Sequence, residues 1–387
     1  MIRSVCFGLA TALAIITMGT SFAEAAADGS DKVRLYVGSY ADAKGDGIYL
    51  LELDLSNGKL TRLGATSGVQ NPSFLAIHPN KRYLYSVCEV PEFEGKRTGA
   101  IAAFAIESDG GLRALNRESS GGEGPCHLIV DKAGKNVLAA NYGGGSACCL
   151  PLDDKGRLAK ASEVVQHRGK STNPQRQESP HAHSVNLDRA NHFAFVADLG
   201  LDEVLVYRFD AEKGSLKANE PPAAKVKPGS GPRHFAFHPS GRFAYVINEM
   251  ALTITAFRYD EAHGVLSEVQ TVSTLPEDAK GDNFSTAEVQ VHPSGKFVYG
   301  SNRGHDTIAS FAVDDQTGRL TPTGHASTGG KTPRNFGIDP TGKYLLAANQ
   351  DSDNILVLKI DPASGKLSST GNAIKVGRPV CVKFLVP

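Results

Sequence analysis

The chain has 387 residues, with 41 lysines and arginines against 41 aspartates and glutamates, so its formal net charge is zero. A balanced charge does not attract nucleic acid or an anionic membrane surface, and we expect neither as a partner. Tryptophan is absent, which excludes repeat classes built on a Trp-Asp signature. The 41 glycines and 20 prolines fall at recurring turn positions and do not indicate disorder.

The first 23 residues have the pattern of a secretory signal peptide. Arg3 precedes a 14-residue apolar run over residues 5–18, and the small-x-small sequence SFA ends at Ala23. The run is shorter than the roughly 20 residues that span a bilayer, so a cleaved leader is favoured over an anchor. We predict cleavage after Ala23, export to the periplasm or medium without membrane attachment, and one mature domain over residues 32–387.

One pattern repeats through the rest of the chain. Its clearest copies are GPRHFAFHPSGRFAYVINE at 231–249, STAEVQVHPSGKFVYGSNR at 285–303 and TPRNFGIDPTGKYLLAANQ at 332–350. Each unit predicts an apolar first strand, a Pro-Ser-Gly type turn, a β-rich second strand, a third strand ending in Asp, and a fourth strand after Gly-x-Leu. Strands therefore dominate every unit.

The first strand of one unit is missing from the start of the chain. Second, third and fourth strands each occur seven times, first strands occur six times, and GRPVCVKFL at 377–385 supplies the seventh. A split repeat indicates a closed ring, whereas a solenoid has end caps and no reason to divide a unit between its termini. We predict an all-β, seven-bladed β-propeller whose first blade is closed by the C-terminal strand.

Polar residues should meet on one face of this ring, where first strands begin and second strands end around the mouth of the central channel. Aligning the units on their hairpin turns places Ser73, Cys126, His183, Arg233, Ala287 and Arg334 at one position, followed by Phe74, His127, Ser184, His234, Glu288 and Asn335. Second strands end in Glu89, Asn141-Tyr142, Asp198, Asn248-Glu249, Asn302-Arg303 and Asn349-Gln350. Varied ionisable residues at equivalent positions indicate a small-molecule site, and a solvated mouth with internal ion pairs is the alternative.

The histidines separate into two groups. His183 stands where other units have arginine, and imidazole titrates near neutral pH, so we expect a proton-transfer role. His181 lies two residues earlier and is expected on the same side, which makes a metal pair conceivable, although no third ligand is evident nearby in the sequence. His78, His238 and His292 lie in the hairpin turns at the opposite face, where we expect structural roles.

The arginines and acidic residues indicate the charge of the substrate. Arg233, Arg303 and Arg334 carry planar donor groups that suit a carboxylate or phosphate, so they favour an anionic substrate. Glu249 and Glu288 are candidates for a general base or for salt-bridge partners of these arginines, and the sequence leaves both roles open.

Two loops are expected on the same face as these residues. One spans residues 90–99, and the other spans 164–179, leads into His181 and brings Arg176 and other basic residues. They could form a flexible, basic rim or lid, and ordinary solvated surface loops are the alternative.

The chain resembles the seven-bladed propeller lactonases, which include a bacterial type of 6-phosphogluconolactonase and a fungal carboxy-cis,cis-muconate cycloisomerase. The matching motifs are YVGSY (36–40), SPHAHSV (179–185), GPRHFAFHP (231–239), VINE (246–249), SNRGHDTI (301–308) and the pair TPRNF and AANQ within 332–350. The resemblance implies catalytic roles for His183, Arg233, Glu249 and Arg303, and no metal or other cofactor. It also separates the chain from six-bladed, calcium-dependent gluconolactonases.

We therefore expect a lactone hydrolase that acts on an anionic or sugar-derived lactone by acid-base and arginine electrostatic catalysis. The expected substrate-binding residues are His181, His234, Glu288, Arg334, Asn349 and Gln350. Export favours an unphosphorylated lactone over the 6-phosphate used in the cytosol. Two alternatives remain: a cycloisomerase that closes a lactone from an unsaturated dicarboxylate, and a propeller that binds a ligand or protein without turnover.

Overall fold

Seven four-stranded antiparallel sheets make up residues 31–386 in the computed structural model, which describes residues 1–2 and 31–386. Nearly all of the predicted signal peptide, its cleavage site and Pro387 lie outside the described residues. Within the described ranges, the helical structure is limited to a 3-10 turn at Gln350–Ser352. That turn is far too short to cross a membrane, and the described residues contain no helix that is long and apolar enough to do so.

The sheets follow one another along the chain as blades. Blade 1 contains β1 (Lys32–Ser39), β2 (Ile48–Asp54), β3 (Leu60–Thr66) and β28 (Pro379–Leu385). Blades 2 to 4 contain β4 (Leu75–Ile77), β5 (Tyr83–Cys88), β6 (Ala100–Ile106), β7 (Leu112–Ser119), β8 (Pro125–Val130), β9 (Asn136–Asn141), β10 (Ser146–Pro151), β11 (Glu163–Gln166), β12 (Ala182–Leu187), β13 (Phe193–Asp198), β14 (Glu203–Asp210) and β15 (Ser215–Lys225). Blades 5 to 7 contain β16 (Pro232–Phe237), β17 (Phe243–Asn248), β18 (Thr253–Asp260), β19 (Val265–Ser273), β20 (Ser285–Val291), β21 (Phe297–Arg303), β22 (Thr307–Val313), β23 (Leu320–Ser327), β24 (Pro333–Ile338), β25 (Tyr344–Asn349), β26 (Asn354–Ile360) and β27 (Leu367–Lys375).

The ring closes through the C-terminal strand. β28 pairs antiparallel with β1, with Tyr36 opposite Lys383 and Val37 opposite Val382. The innermost strands contact one another in the order β28, β4, β8, β12, β16, β20 and β24, and β24 returns to β28. The predicted seven-bladed propeller, with its first blade completed by the end of the chain, is confirmed.

Apolar residues on both faces of each sheet hold the blades together. Every residue of β25 is buried, as expected for a strand that neighbouring sheets cover on both sides. Between blades 4 and 5, the rings of Phe195 and Phe235 stack with centroids 5.5 Å apart. The hydrophobic core is thus a series of layers between blades, and the centre of the ring is left for polar side chains.

Three hairpin histidines each link one blade to the next. Nε2–H of His238 donates to the carbonyl oxygen of Gly295 at 2.8 Å, and Nε2–H of His292 donates to Gly342 at 2.9 Å. His78 makes the equivalent contact with the Gly134 carbonyl oxygen. These histidines therefore have the structural role expected from the sequence, on the face opposite the mouth.

Candidate active site

Irregular pairing recurs where the innermost strands reach the mouth: β20 and β28 change register there, and four other strands share a one-residue bulge. Their pairing with the second strand shifts at Pro125/His127, Ala182/Ser184, Pro232/His234 and Pro333/Asn335. The residues inside these shifts are Cys126, His183, Arg233 and Arg334. A bulge leaves its extra residue without a cross-strand partner and redirects its side chain. The repeated bulge brings these four side chains to the same small space at the centre of the ring.

Glu249, directly after β17, is the centre of an ion-pair cluster. Its Oε2 accepts a hydrogen bond from Nε of Arg233 at 3.0 Å and lies 2.9 Å from Nη2 of Arg303. Its Oε1 accepts a hydrogen bond from Nη2 of Arg176 at 2.6 Å. Nε2 of His183 is 4.0 Å from Oε2. The four predicted catalytic residues therefore lie together, joined by Arg176 from the loop that precedes β12.

The surrounding arginines keep Glu249 ionised. Burial acts to raise the pKa of this carboxyl, but the charges of Arg303, Arg233 and Arg176 lower it to about 2. Guanidinium groups already hold both of its oxygens, so neither oxygen is free to take a proton from a ligand. Glu249 is therefore better suited to hold the guanidinium groups in place than to remove a proton.

His183 is the group at the mouth best suited to accept a proton. Its ring is buried, and burial, together with the charge of Arg233, holds its pKa well below the usual range. The imidazole is thus neutral near pH 7 and has a free lone pair. Nδ1 lies 3.6 Å from Sγ of Cys126, and the edge of the Tyr142 ring packs against the imidazole with centroids 5.1 Å apart.

A small cavity, the mouth recess, lies between these side chains. It has a volume of about 10 Å³, which is about the space that one water molecule requires. Its polar lining consists of Tyr40, Ser73, Glu89, Cys126, His183, Arg233, His234 and Arg334. A water molecule in the mouth recess would therefore touch a neutral imidazole and guanidinium groups.

Arg334 is the guanidinium group with no partner of its own. Its charge lies over the ring of Tyr40, 5.5 Å from the centroid, and among residues 31–386 it makes no hydrogen bond or ion pair. Glu89 is already used by Tyr40, whose hydroxyl donates to it at 3.0 Å, and by the Ser73 hydroxyl. Arg334 therefore keeps all its donors available to a ligand.

The mouth carries an excess of positive charge. Arg176, Arg233, Arg303 and Arg334 surround the carboxylates of Glu249 and Glu89, which leaves two formal positive charges uncompensated. Side-chain exposure rises from 3% for Arg233 to 13% for Arg303 and 43% for Arg176. Guanidinium groups therefore lie both beside the mouth recess and at the solvent-exposed outer rim.

Two predicted substrate-binding residues lie deeper in the channel. Glu288 and His234 line a channel chamber of about 450 Å³ that opens at the hairpin face, together with Phe74, His127 and Lys383. Nδ1 of His234 is 3.1 Å from Oε2 of Glu288. Burial raises the pKa of Glu288 to about 7. Nothing in the sequence distinguishes Glu288 from Glu249, but the pKa of Glu288 is raised and that of Glu249 is lowered.

The structure matches a known family of propellers. The family described as "Lactonase, 7-bladed beta-propeller" matches residues 34–384. The chain belongs to this lactonase family. The resemblance that the sequence motifs indicated, and the expectation of a lactone hydrolase, are confirmed at this level.

Named relatives of this lactonase agree with that assignment. This chain is 35% identical to the 6-phosphogluconolactonase of Bacillus subtilis, and the match covers 90% of this chain and 97% of the relative. A putative 6-phosphogluconolactonase from Bacteroides fragilis superimposes with a TM-score of 0.85 at 36% identity, covering 92% of this chain and 98% of the other. A periplasmic gluconolactonase from Pseudomonas aeruginosa gives 0.84 at 32% identity, covering 92% and 99%.

Three other predicted binding residues make contacts outside the mouth recess. The ring of His181 stacks on Tyr142 with centroids 4.7 Å apart, and its Nδ1–H donates to the Tyr142 carbonyl oxygen at 3.1 Å. Nδ2 of Asn349 donates to the carbonyl oxygen of Thr328, which follows the outermost strand of the preceding blade, and Gln350 lies in the 3-10 turn. Asn349 thus caps a strand end as Asn141 and Asn302 do in their blades, and the expectation that Asn349 and Gln350 bind substrate stays a prediction.

The conceivable metal pair is not assembled. The bulge at His183 breaks the strand alternation, so His181 and His183 pack on Tyr142 separately. Across residues 31–386, no group of three or more His, Cys, Asp or Glu side chains is placed to hold a metal ion.

Sequence reasoning missed Tyr40 and undervalued Arg176 as site residues. Tyr40 ends the YVGSY motif, just after β1, and contacts both Glu89 and Arg334. Burial raises its pKa to about 12, so the phenol stays protonated and can donate. The sequence signal for Tyr40 is Glu89, an acidic residue at the end of a second strand that needs a polar partner at the mouth.

Proposed function

We propose that this protein hydrolyses a sugar lactone bearing an anionic substituent, and that hydrolysis takes place at the mouth of the channel. The observation that carries the proposal is the mouth recess, with room for about one water between neutral His183 and unpaired Arg334. The names of the relatives, 6-phosphogluconolactonase and gluconolactonase, support the substrate class.

His183 acts as the general base in this proposal. It removes a proton from the water in the mouth recess as the water oxygen attacks the lactone carbonyl. The tetrahedral intermediate collapses by breaking the bond to the ring oxygen, and protonated His183 gives its proton to that oxygen. The product is a hydroxy acid. Proton transfer by a positioned side chain typically contributes on the order of 10²- to 10⁴-fold in rate.

The arginines divide into two sets. Arg334 and Arg233 border the mouth recess and stabilise the negative charge that develops on the carbonyl oxygen, which is often the largest single contribution to such catalysis. Arg303 and Arg176 are nearer to solvent and bind the anionic substituent as planar donors. Glu249 keeps three of the four guanidinium groups in position.

The protein acts outside the cytoplasm in this proposal. The sequence of residues 1–23 supports a cleaved leader, and the relative from Pseudomonas aeruginosa is described as periplasmic. Edman sequencing of the secreted protein should begin at Glu24. Recovery of chains that still begin at Met1 would contradict export through this leader.

The test is a substrate panel with purified mature protein. δ-Gluconolactone, its 6-phosphate and carboxy-cis,cis-muconate are each incubated with enzyme, and acid release or loss of the diene is recorded above the spontaneous rate. We expect hydrolysis of both lactones and no consumption of the diene. The excess positive charge of the mouth favours a higher kcat/KM for the phosphorylated lactone, which is the reverse of the preference that export alone suggests.

His183→Ala should lower kcat about 10²- to 10⁴-fold without changing the far-ultraviolet circular dichroism spectrum. A wild-type protein that turns over no lactone, or a fully active His183→Ala variant, would contradict the proposal. Conversion of the muconate alone would favour the cycloisomerase.

A further inference from the structure

The channel chamber approaches the mouth recess from the opposite face of the ring. Its lining includes Ile129, Phe237 and Ile338, which lie at the hairpin ends of the innermost strands. His234 and Phe74 line both the channel chamber and the mouth recess. These two side chains therefore form the partition between the two cavities.

His234 connects the two sides of this partition. Its ring centroid lies 5.5 Å from that of His183, and both rings border the mouth recess, so one water there could bridge them. On the other side, Nδ1 of His234 is 3.1 Å from Oε2 of Glu288. Among residues 31–386, Nε2 of His234 has no hydrogen-bond partner.

One lone-pair position of the Glu288 carboxylate faces His234 and suits a shared proton. The backbone N–H of Val289 donates to Oε1 at 3.0 Å, and Nδ2 of Asn335 donates to Oε2. Asn335 is fixed as a donor because its Oδ1 accepts the N–H of Val382 at 2.9 Å. The remaining site on Oε2 faces Nδ1 of His234, where the proton can reside on either atom.

We propose that His234 and Glu288 form a proton-transfer path that joins His183 at the mouth recess to the channel chamber on the opposite face. The inference rests on the proposed function, because lactone hydrolysis produces a carboxylic acid and therefore one proton per turnover. With product occupying the mouth, this path releases the proton through the channel.

Each step of the path conserves protons. The new carboxylic acid gives its proton to the imidazole of His183. His183 passes it to Nε2 of His234 through a second water molecule, which has replaced the consumed one in the mouth recess. His234 then gives the proton on its Nδ1 to Oε2 of Glu288. Neutral Glu288 releases it to solvent in the channel chamber, which returns His183 and Glu288 to their starting forms. His234 is left with its proton on Nε2, and the ring must tautomerise, moving that proton back to Nδ1, before the next turnover.

The charges around Glu288 suit both forms of its carboxyl near neutral pH. Burial raises its pKa to about 7, while Lys383 and Arg233 act to lower it. The titratable and charged groups that face this pair are His127 on β8, His183 on β12, Arg233 on β16, Glu249 after β17, Arg334 on β24, and Cys381 and Lys383 on β28. His234 itself is kept neutral by burial and by Arg233, so it carries the proton only transiently.

Glu288→Gln tests the path because it removes the carboxyl proton site and keeps the shape of the side chain. At pH 7 we expect kcat to fall on the order of 10²-fold, the lower end for a positioned proton-transfer group, with KM unchanged. Small buffers such as imidazole should restore part of the rate by entering the channel chamber. Asn186→Ala is the matched control, since Asn186 lines the same chamber outside the path, and it should retain wild-type kcat.

Unchanged kcat in Glu288→Gln, or a loss that no buffer restores, would overturn the path. A second readout does not depend on turnover: infrared spectra should contain the C=O band of a protonated carboxyl that titrates near pH 7 and is absent from Glu288→Gln. Absence of that band from the wild type would also overturn the path. Failure of the wild type on every lactone, with the band present, would instead count against the proposed function.

Discussion

Replacing Glu249 with glutamine removes the carboxylate that three arginines share. Arg233, Arg303 and Arg176 each lie within 3.0 Å of its oxygens, and only 7% of its side chain is exposed. Glutamine has nearly the same shape but carries no charge and presents an amide group to the guanidinium donors. We expect Glu249→Gln to destabilise the fold because the arginines then face one another without compensation.

The magnitude follows from the pKa of Glu249. Its value falls from the ordinary 4.5 to about 2 in the folded protein, and about 1.4 kcal/mol per tenfold change gives about 3 kcal/mol in favour of the ionised, folded state. Removing one partner of a buried ion pair costs about 3–5 kcal/mol. The folded pKa is depressed, so this stability is complete above pH 4.5 and is lost as the pH falls toward about 2.

Urea unfolding measures this difference. The chain contains no tryptophan, so far-ultraviolet circular dichroism or tyrosine fluorescence is the signal. At pH 7, Glu249→Gln should lose about 3–5 kcal/mol, and the difference from wild type should shrink below pH 4.5. Glu212→Gln is the control, because Glu212 pairs with Lys135 at 2.6 Å but is 77% exposed, so its loss should not exceed about 1 kcal/mol. Equal unfolding midpoints for the two variants at pH 7 would refute the reasoning.

Two further substitutions separate catalysis from stability. Arg334→Met should lower kcat/KM for the lactone about 10²- to 10³-fold. The urea midpoint should stay the same, because Arg334 makes no hydrogen bond within residues 31–386. Arg334→Lys should restore only part of the rate, because lysine lacks the planar donor pair. A fully active Arg334→Met would remove this residue from the site. His292→Ala should lower stability and leave catalysis intact, because it breaks the hydrogen bond to Gly342. We expect a loss of about 1–2 kcal/mol in the free energy of unfolding and an unchanged kcat. A large loss of kcat with unchanged stability would show that the hairpin face participates in catalysis.

The blade count could be obtained from the sequence because each unit repeats the same strand and turn signals, and residues 377–385 supply the missing copy. Strand order then placed His183, Arg233, Glu249 and Arg303 at one mouth. In the structure, the other three side chains lie within 4.0 Å of the Glu249 carboxylate. Such long-range grouping was predictable because a closed ring allows few arrangements.

The β-bulges could not be predicted from the sequence, and they explain why some predicted site residues, such as Glu288, lie elsewhere in the structure. Strand pairing in blade 6 shifts between Thr286 and Val289, and Glu288 within that shift faces the channel chamber, away from Glu249. A two-residue alternation contains no mark of such a shift. The contact of Arg176 with Glu249 depends on the path of a loop over the surface, which local sequence signals do not determine.

The most direct test of the central claim is a crystal structure of the protein with the hydroxy-acid product of its lactone bound. The product carboxylate should lie within hydrogen-bond distance of Arg334 and His183, with the anionic substituent beside Arg303 and Arg176. Product bound in the channel chamber next to Lys383, with the mouth recess unoccupied, would contradict the assignment of the mouth as the site of hydrolysis.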